Sequence, residues 1–386
     1  MNIFLIPKIC NQISIENIDI QIKSSINNNN NNIIISKTLY KYLTDIKNQI
    51  NKYIDLWDIY KKYTNPYEYI HTIVPDKKSS ISKYKPLSRS FYKFIEICKT
   101  FELLPDITES LSSFHLAEGP GGFIEAIIHL HDNPNNKYIG MTLLSIESDI
   151  PGWKKSNEFL KKHKNLYIEN GPKKNGDLFE VDNLKYCYEK YKNSFDIVTG
   201  DGGFDFSINF DNQEQQSCRL IFSQILYALS IQKTNGSFVV KFFDTFTKAS
   251  IDLLYLLSTY YSTVSIIKPN TSRMANSEKY IVCEGYLNND YSVIEYLIDN
   301  YDKIIDKDNN ILGFLNINPP YYFINKIEDY NAILGQQQIE NINATINKII
   351  NKETYENNIK DLVNININKC ITWCNKYDIQ ISPVFL

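Results

Sequence analysis

Two sets of residues in this chain have types and spacing suited to chemistry. The first is a glycine-rich hexapeptide, Glu118-Gly119-Pro120-Gly121-Gly122-Phe123. A turn of this kind between a strand and a helix lets backbone approach a ligand closely, at the point where open α/β sheets bind ligands. It is not GxGxxG and lacks the GK[ST] ending of a P-loop, so NAD and ATP lose ground and S-adenosylmethionine gains it. A purely structural tight turn is the alternative. The second set is four charged residues. Asp201 closes an apolar run in Thr-Gly-Asp-Gly-Gly-Phe, and Lys241 lies inside Phe-Val-Val-Lys-Phe-Phe, where an unpaired ammonium would be costly. Glu278 precedes the last strand-like run, and Lys93 stands in Ser88-Arg-Ser-Phe-Tyr-Lys, ahead of the glycine turn. Any one of them alone reads as a surface salt bridge, but together they can converge on one edge of a sheet.

The elements that must position them alternate. Strand-like runs at Ser113–Ala117, Tyr138–Thr142, Asp196–Thr199 and Ser237–Phe243 are interleaved with helical patterns. These helices are expected at Ser90–Leu104, Phe123–Leu130, Gln216–Gln232 and Lys248–Tyr260. Val264–Lys268 and Lys279–Tyr286 read as paired strands. The expected fold is therefore α/β and Rossmann-like: a mostly parallel sheet with an antiparallel C-terminal strand and helices on both faces. Residues 1–75 read as an N-terminal helical segment, with the Asn28–Asn32 run as a loop tip. Residues 76–290 hold the chemistry, and residues 291–386 read as a mostly helical extension.

Composition removes several function classes. Lys+Arg 41 against Asp+Glu 44 gives a net charge of -3 over 386 residues, so nucleic acid could be held only by a local patch. One such patch is the segment from Lys77 to Lys93, with six basic residues, no acidic one, and aromatics interleaved; a solvated face is the ordinary reading of such a run. No stretch is apolar for long enough to span a membrane. The seven cysteines are scattered, the default for reduced thiols in a cytosolic-type compartment. Neither they nor the five histidines show the spacing of a zinc site, Cys370-x-x-x-Cys374 being weak alone. The abundance of Asn, Ile, Lys and Tyr points to an AT-rich genome, such as that of a large DNA virus or a protist. Only Arg89, Arg219 and Arg273 break the preference for lysine, a hint of places where a planar fork matters.

From Arg89 to Tyr286 the chain resembles the FtsJ-like RNA ribose 2′-O-methyltransferases, most of all the eukaryotic and viral enzymes acting on capped mRNA. AEGPGGF, GDGGFDF, LIFSQILYALSI, SFVVKFFDTF and KPNTSRMANSEKYIVC carry the resemblance, in that order. It implies a catalytic tetrad of Lys93, Asp201, Lys241 and Glu278, with S-adenosylmethionine as cofactor and no metal. Glu118, Gly119, Pro120, Gly121, Gly122 and Phe123 are expected around the cofactor, with Asp201 beside it and Asp177 reaching the adenine amino group. Two departures stand out: His115 replaces the acidic residue that often ends the first strand, and Gly-Met-Thr-Leu lacks the one that ends the second.

A ribose hydroxyl is a poor nucleophile whose proton must leave as the oxygen attacks the sulfonium methyl. Lysine is ordinarily charged at pH 7. An apolar strand, a second cation (Lys93) and the sulfonium together are expected to lower the pKa of Lys241 enough for it to act as base, contributing ~10²–10⁴ in rate. Lys85, Arg89 and Arg273 are the candidates for contacting RNA phosphates. The implied substrate is the first or second transcribed nucleotide of 5′-capped mRNA; rivals are ribosomal or transfer RNA and, in another class, a catalytically silent RNA-binding subunit. Other capping enzymes or an RNA polymerase are the expected partners, with no membrane. The expected location is cytoplasmic (a virus factory or virion if the source is viral), with the nucleus left open.

Overall fold

The computed structural model describes residues 2–24, 33–144, 152–203, 213–287 and 290–386, and their side chains apart from those of 353–358. The Asn28–Asn32 run and Phe204–Phe206 of the second glycine motif lie outside the described residues. The strands are β1 (Ile3–Ile6), β2 (Ile18–Ser24), β3 (Ser112–Leu116), β4 (Lys137–Met141), β5 (Leu166–Ile168), β6 (Phe195–Gly200), β7 (Gln232–Phe242), β8 (Tyr261–Ile267), β9 (Lys279–Tyr286) and β10 (Asn309–Leu315). The helices before β6 are α1 (Lys37–Ile50), α2 (Ile54–Thr64), α3 (Ser90–Phe101), α4 (Gly122–Leu130), α5 (Asn157–Lys162) and α6 (Val181–Tyr191). After it come α7 (Gln213–Ile231), α8 (Lys248–Tyr260), α9 (Ser292–Asp299), α10 (Tyr301–Ile305), α11 (Tyr321–Ile350) and α12 (Lys352–Lys376).

Eight strands form one sheet in the order β1-β8-β9-β7-β6-β3-β4-β5. The run β7-β6-β3-β4-β5 is parallel, β9 inserts antiparallel between β7 and β8, and β1 adds antiparallel to the outside of β8. This is the Rossmann-like arrangement expected from the alternation. The chain leaves β3 for β4 on one side and later returns to β6 on the other, so the strand order reverses beside β3. The carboxyl ends of β3 and β6 meet there, which is where such sheets bind ligands.

Period-2 alternation assigns side chains to faces. Phe238 and Val240 of β7 join the core under α7 and α8, whereas Val239 joins the core under α3 and α4. Lys241 shares the parity of Val239, and its partner in the antiparallel register, Tyr280, shares that of Val282 on the same face. The lysine is therefore aimed toward the helix that carries Lys93. Close packing of α3 on α4 fixes that helix. Phe94 and Phe123 stack with ring centroids 4.2 Å apart, and a Cβ on Gly122 would lie 2.1 Å from Ser90 Oγ.

The N-terminal flank holds strands β1 and β2 beside its helices, and residues 291–386 are mostly helical with one strand, β10. Ile18, Ile20 and Ile22 alternate with polar residues, a strand pattern, and β2 pairs antiparallel with β10 in a second, two-stranded sheet. Asp252 of α8 secures that pair to the core by accepting from Phe314 N (2.8 Å) and Leu315 N (3.0 Å). The main sheet also gains β5, and α6 precedes β6; both are short or strongly polar, leaving weak periodicity. Among the described residues no helix is long and apolar enough to cross a membrane.

Candidate active site

Lys93, Asp201, Lys241 and Glu278 form two linked ion pairs. Lys93 Nζ lies 2.5 Å from Glu278 Oε1, and Lys241 Nζ lies 3.4 Å from Asp201 Oδ1 while donating to the Asp201 backbone oxygen at 2.7 Å. The link is Tyr280, which the sequence reading passed over although it stands two residues after Glu278. Its hydroxyl donates to Asp201 Oδ1 at 2.9 Å, and its ring faces the Lys93 ammonium, 6.0 Å from the centroid. Burial lowers the pKa of Lys93, opposed by the charge of Glu278. Burial alone would raise the carboxyl of Glu278, but the charges of Lys93, Lys241 and Arg89 outweigh it and hold the group well below the usual carboxylate range. Glu278 is thus a buried anion with its partners in place, also accepting from Ser272 Oγ at 2.9 Å.

The second glycine motif makes room for this constellation. A Cβ on Gly203 would sit 2.9 Å from Lys241 Nζ, so the last glycine of Asp-Gly-Gly leaves the space that the amine occupies. Gly202 N donates to Gln224 Oε1 (2.9 Å), and a Cβ there would come within 3.0 Å of Ala117 Cβ at the end of β3. Gln224, fully buried on α7 within the LIFSQILYALSI stretch, holds the motif from behind.

A model of the FtsJ-like methyltransferase family matches residues 86–286, just over half of the chain. The chain belongs to the FtsJ-like methyltransferase family. It is 34% identical over 257 residues to the cap-specific mRNA (nucleoside-2′-O-)-methyltransferase 2 of Danio rerio, a match covering 63% of this chain and 34% of that protein. It is 28% identical over 250 residues to the cap-specific mRNA (nucleoside-2′-O-)-methyltransferase 1 of Trypanosoma brucei brucei, covering 62% and 65% respectively. A solved structure of a putative ribosomal RNA methyltransferase from Plasmodium falciparum overlaps 53% of this chain and 100% of that one, at 21% identity and a TM-score of 0.38. The chain thus spans about a third of the length of its Danio rerio relative.

The glycine turn of this FtsJ-like domain is built for a close approach. Gly121 has φ 112°, a conformation that disfavours any side chain, and it passes the chain directly into α4. Glu118 is buried at the end of β3, its Oε1 accepting from Phe123 N (2.7 Å) and Ile124 N (3.1 Å), so the carboxylate caps the helix. Burial first, and then the charge of Asp201, push its pKa well above the usual value. Two carboxylates at adjoining strand ends, one of them short of positive charge, are a donor set that suits a cationic ligand. S-adenosylmethionine, with its sulfonium and ammonium groups, fits. The ring of Phe123 is turned into the core, stacked on Phe94, leaving its backbone to the turn.

The remaining predicted residues fall in different surroundings. Asp177 Oδ1 accepts from Phe179 N at 2.9 Å, and the residue is half-buried in the turn before α6. His115, which replaces an acidic residue, is fully buried between Ser113 Oγ and Thr199 Oγ1, both at 2.8 Å, and burial lowers its pKa to about 3. It ties β3 to β6 as a neutral imidazole. Arg89, half-buried at the start of α3, adds positive charge near Glu278, whereas Lys85 is exposed and bonded to Ser80 Oγ. Arg273 forms a two-pronged pair with Glu68, Nε to Oε2 at 3.0 Å and Nη2 to Oε1 at 2.6 Å. Its guanidinium is engaged within the protein. Among the described residues no group of three His, Cys, Asp or Glu side chains is placed to hold a metal ion.

The loop from Lys268 to Glu278 is anchored from several sides, which the sequence reading did not foresee. Glu96, one turn after Lys93 on α3, accepts from Asn270 N (2.9 Å), Thr271 N (3.2 Å) and Trp373 Nε1 (3.3 Å). Lys268 Nζ donates to the backbone oxygens of Asn276 (2.7 Å) and Glu278 (2.8 Å). A carboxylate inside the amphipathic pattern of α3 was the available signal for Glu96.

Proposed function

We propose that this chain transfers a methyl group from S-adenosylmethionine to a ribose 2′-OH at the capped 5′ end of mRNA. The observation that carries the reading is the convergence of Lys241, Asp201, Lys93 and Glu278 beside the glycine turn, at the carboxyl edge of the sheet. The names of the relatives from Danio rerio and Trypanosoma brucei brucei support capped mRNA as the substrate. Residues 76–290 form the methyltransferase unit in this reading, and residues 1–75 and 291–386 are its flanks. Other capping enzymes or an RNA polymerase are the partners such a reaction would bring.

Glu118 to Phe123, Asp177 and Asp201 would hold the cofactor, which when bound supplies an electrophilic methyl on a sulfonium. Lys241 acts on the other reactant. Its amine, in the neutral form, accepts the 2′-hydroxyl proton as that oxygen forms its new bond to carbon; the electron pair of the broken carbon–sulfur bond leaves with sulfur. Asp201 orients the amine through its backbone oxygen and its carboxylate. Tyr280 keeps that carboxylate from swinging away. Lys93, fixed by Glu278, places positive charge where negative charge develops on the attacking oxygen.

The test is transfer of labelled methyl to matched RNAs bearing a 7-methylguanosine cap, a plain guanosine cap or a 5′-triphosphate, followed by digestion. Label on the ribose of the first or second nucleotide, in capped RNA alone, is the expected result. Lys241→Ala is expected to lower the rate by at least ~10² while RNA still binds. Label irrespective of the cap would move the substrate to another RNA, and no label with RNA bound would remove the enzyme altogether.

A further inference from the structure

A cleft of about 420 Å³ opens along α12, walled by Tyr67 and by Asn270 of the Lys268–Glu278 loop. Its volume lies in the range of small-ligand sites. Tyr67, Asn270, Lys369, Thr372, Trp373 and Lys376 line it. No acidic residue lines it, and Lys369, Thr372 and Lys376 are exposed. Seven positions apart, the two lysines stand two turns of helix apart, about 10 Å along its axis, and so reach different points on an extended ligand. Tyr67 is half-buried at the wall, and Trp373 is buried at the floor.

The cleft is joined to the reaction centre through the loop. Trp373 donates to Glu96, which in turn holds the backbone of Asn270 and Thr271. The next residue, Ser272, donates to Glu278. Lys376 Nζ rests 5.1 Å from the centroid of the Tyr377 ring, at one end of the cleft. A surface that pairs exposed lysines with an aromatic wall has the chemistry of single-stranded nucleic acid recognition, in which phosphates meet lysines and a base stacks on a ring. We infer that the α12 cleft binds the RNA strand itself, outside the catalytic tetrad: a nucleotide base lies against Tyr67, with flanking phosphates on Lys369 and Lys376. The inference rests on the reading of this chain as an RNA methyltransferase.

The experiment measures equilibrium binding by fluorescence anisotropy, without cofactor, so that it does not depend on methyl transfer. Wild type and Lys369→Gln/Lys376→Gln are compared on a short RNA of a few nucleotides and a long one of a few tens, each capped and uncapped. Long RNA, capped or not, is expected to bind about tenfold more weakly to the double variant at low salt. The slope of log K against log salt is expected to fall by about 1.4, at about 0.7 per phosphate contact. The loss should grow with RNA length. Lys303→Gln/Lys307→Gln removes the same charge from exposed positions elsewhere and should have the smaller effect. No change on long RNA, equal losses from the two double variants, or a loss confined to capped RNA would each overturn the assignment. If the cleft binds strand as described and wild type transfers no methyl, the inference stands and the enzymatic reading falls. If methyl is transferred and the lysines have no effect on binding, the reverse holds.

Discussion

At the scale of single residues, the chemistry depends on where one amine and one hydroxyl are held. Gly203 bounds the space for the Lys241 amine, and a methyl group there would lie 2.9 Å from Nζ. Gly203→Ala is therefore expected to cut methyl transfer at least tenfold by displacing the amine, with little change in the urea midpoint; an unaltered rate would show that the amine tolerates displacement. Tyr280→Phe removes the donor to Asp201 and keeps the ring facing Lys93. Hydrogen bonds to charged groups contribute ~1.5–3 kcal/mol, so a ten- to hundredfold fall in kcat with KM for RNA unchanged is expected from single-substrate kinetics. Much of this site was legible in the sequence, because glycine turns and a lysine inside an apolar strand are local signals. Tyr280 was not. Its role comes from a cross-strand register with Lys241, and a tyrosine among 28 carries no mark of its partner.

At the scale of elements, α3 does two jobs one turn apart: Lys93 joins the tetrad by pairing with Glu278, and Glu96 holds the loop that carries Glu278. Glu96→Gln replaces an acceptor by a donor opposite backbone N–H groups, leaving at least one of them buried without a partner. A cost of ~1–3 kcal/mol in urea unfolding is expected, together with slower transfer as the loop loosens. Normal stability with slow transfer would separate the two effects and leave the anchoring role without support. The strand–helix alternation of the core was readable because parallel strands buried on both faces are continuous apolar runs. The second sheet was not, since β2 and β10 lie far apart in the chain and only the folded molecule pairs them.

At the scale of the molecule, the flanking segments are tied to the core by buried charge. Burial would raise the Glu68 carboxyl, but its hydrogen bonds and charge interaction with Arg273 prevail and hold it at about 2, below its ordinary 4.5. A depressed carboxylate of this kind contributes stability that is complete above the unfolded value and is lost as pH falls toward the folded one. Between pH 4.5 and 2 the wild type should lose ~3 kcal/mol from this group, readable as a falling urea midpoint. Glu68→Gln should cost ~3–5 kcal/mol near neutrality, because it strands the Arg273 guanidinium, and should be flatter across the acid window. Parallel acid profiles for the two proteins would remove Glu68 as the cause. The pair was hidden in the sequence because Arg273 also has the type and setting of a phosphate contact.

The anchoring of the Glu278 loop by Trp373 also sets an order in time. A ribosome releases the whole sheet, the glycine turns and all four tetrad residues well before it reaches the last turns of α12. Until Trp373 has emerged and reached Glu96, the loop lacks one of its supports, so a nascent chain can hold a finished Rossmann-like core while Glu278 is still unsettled. Support for Glu278 would then come later in synthesis than the folding of the core that surrounds it.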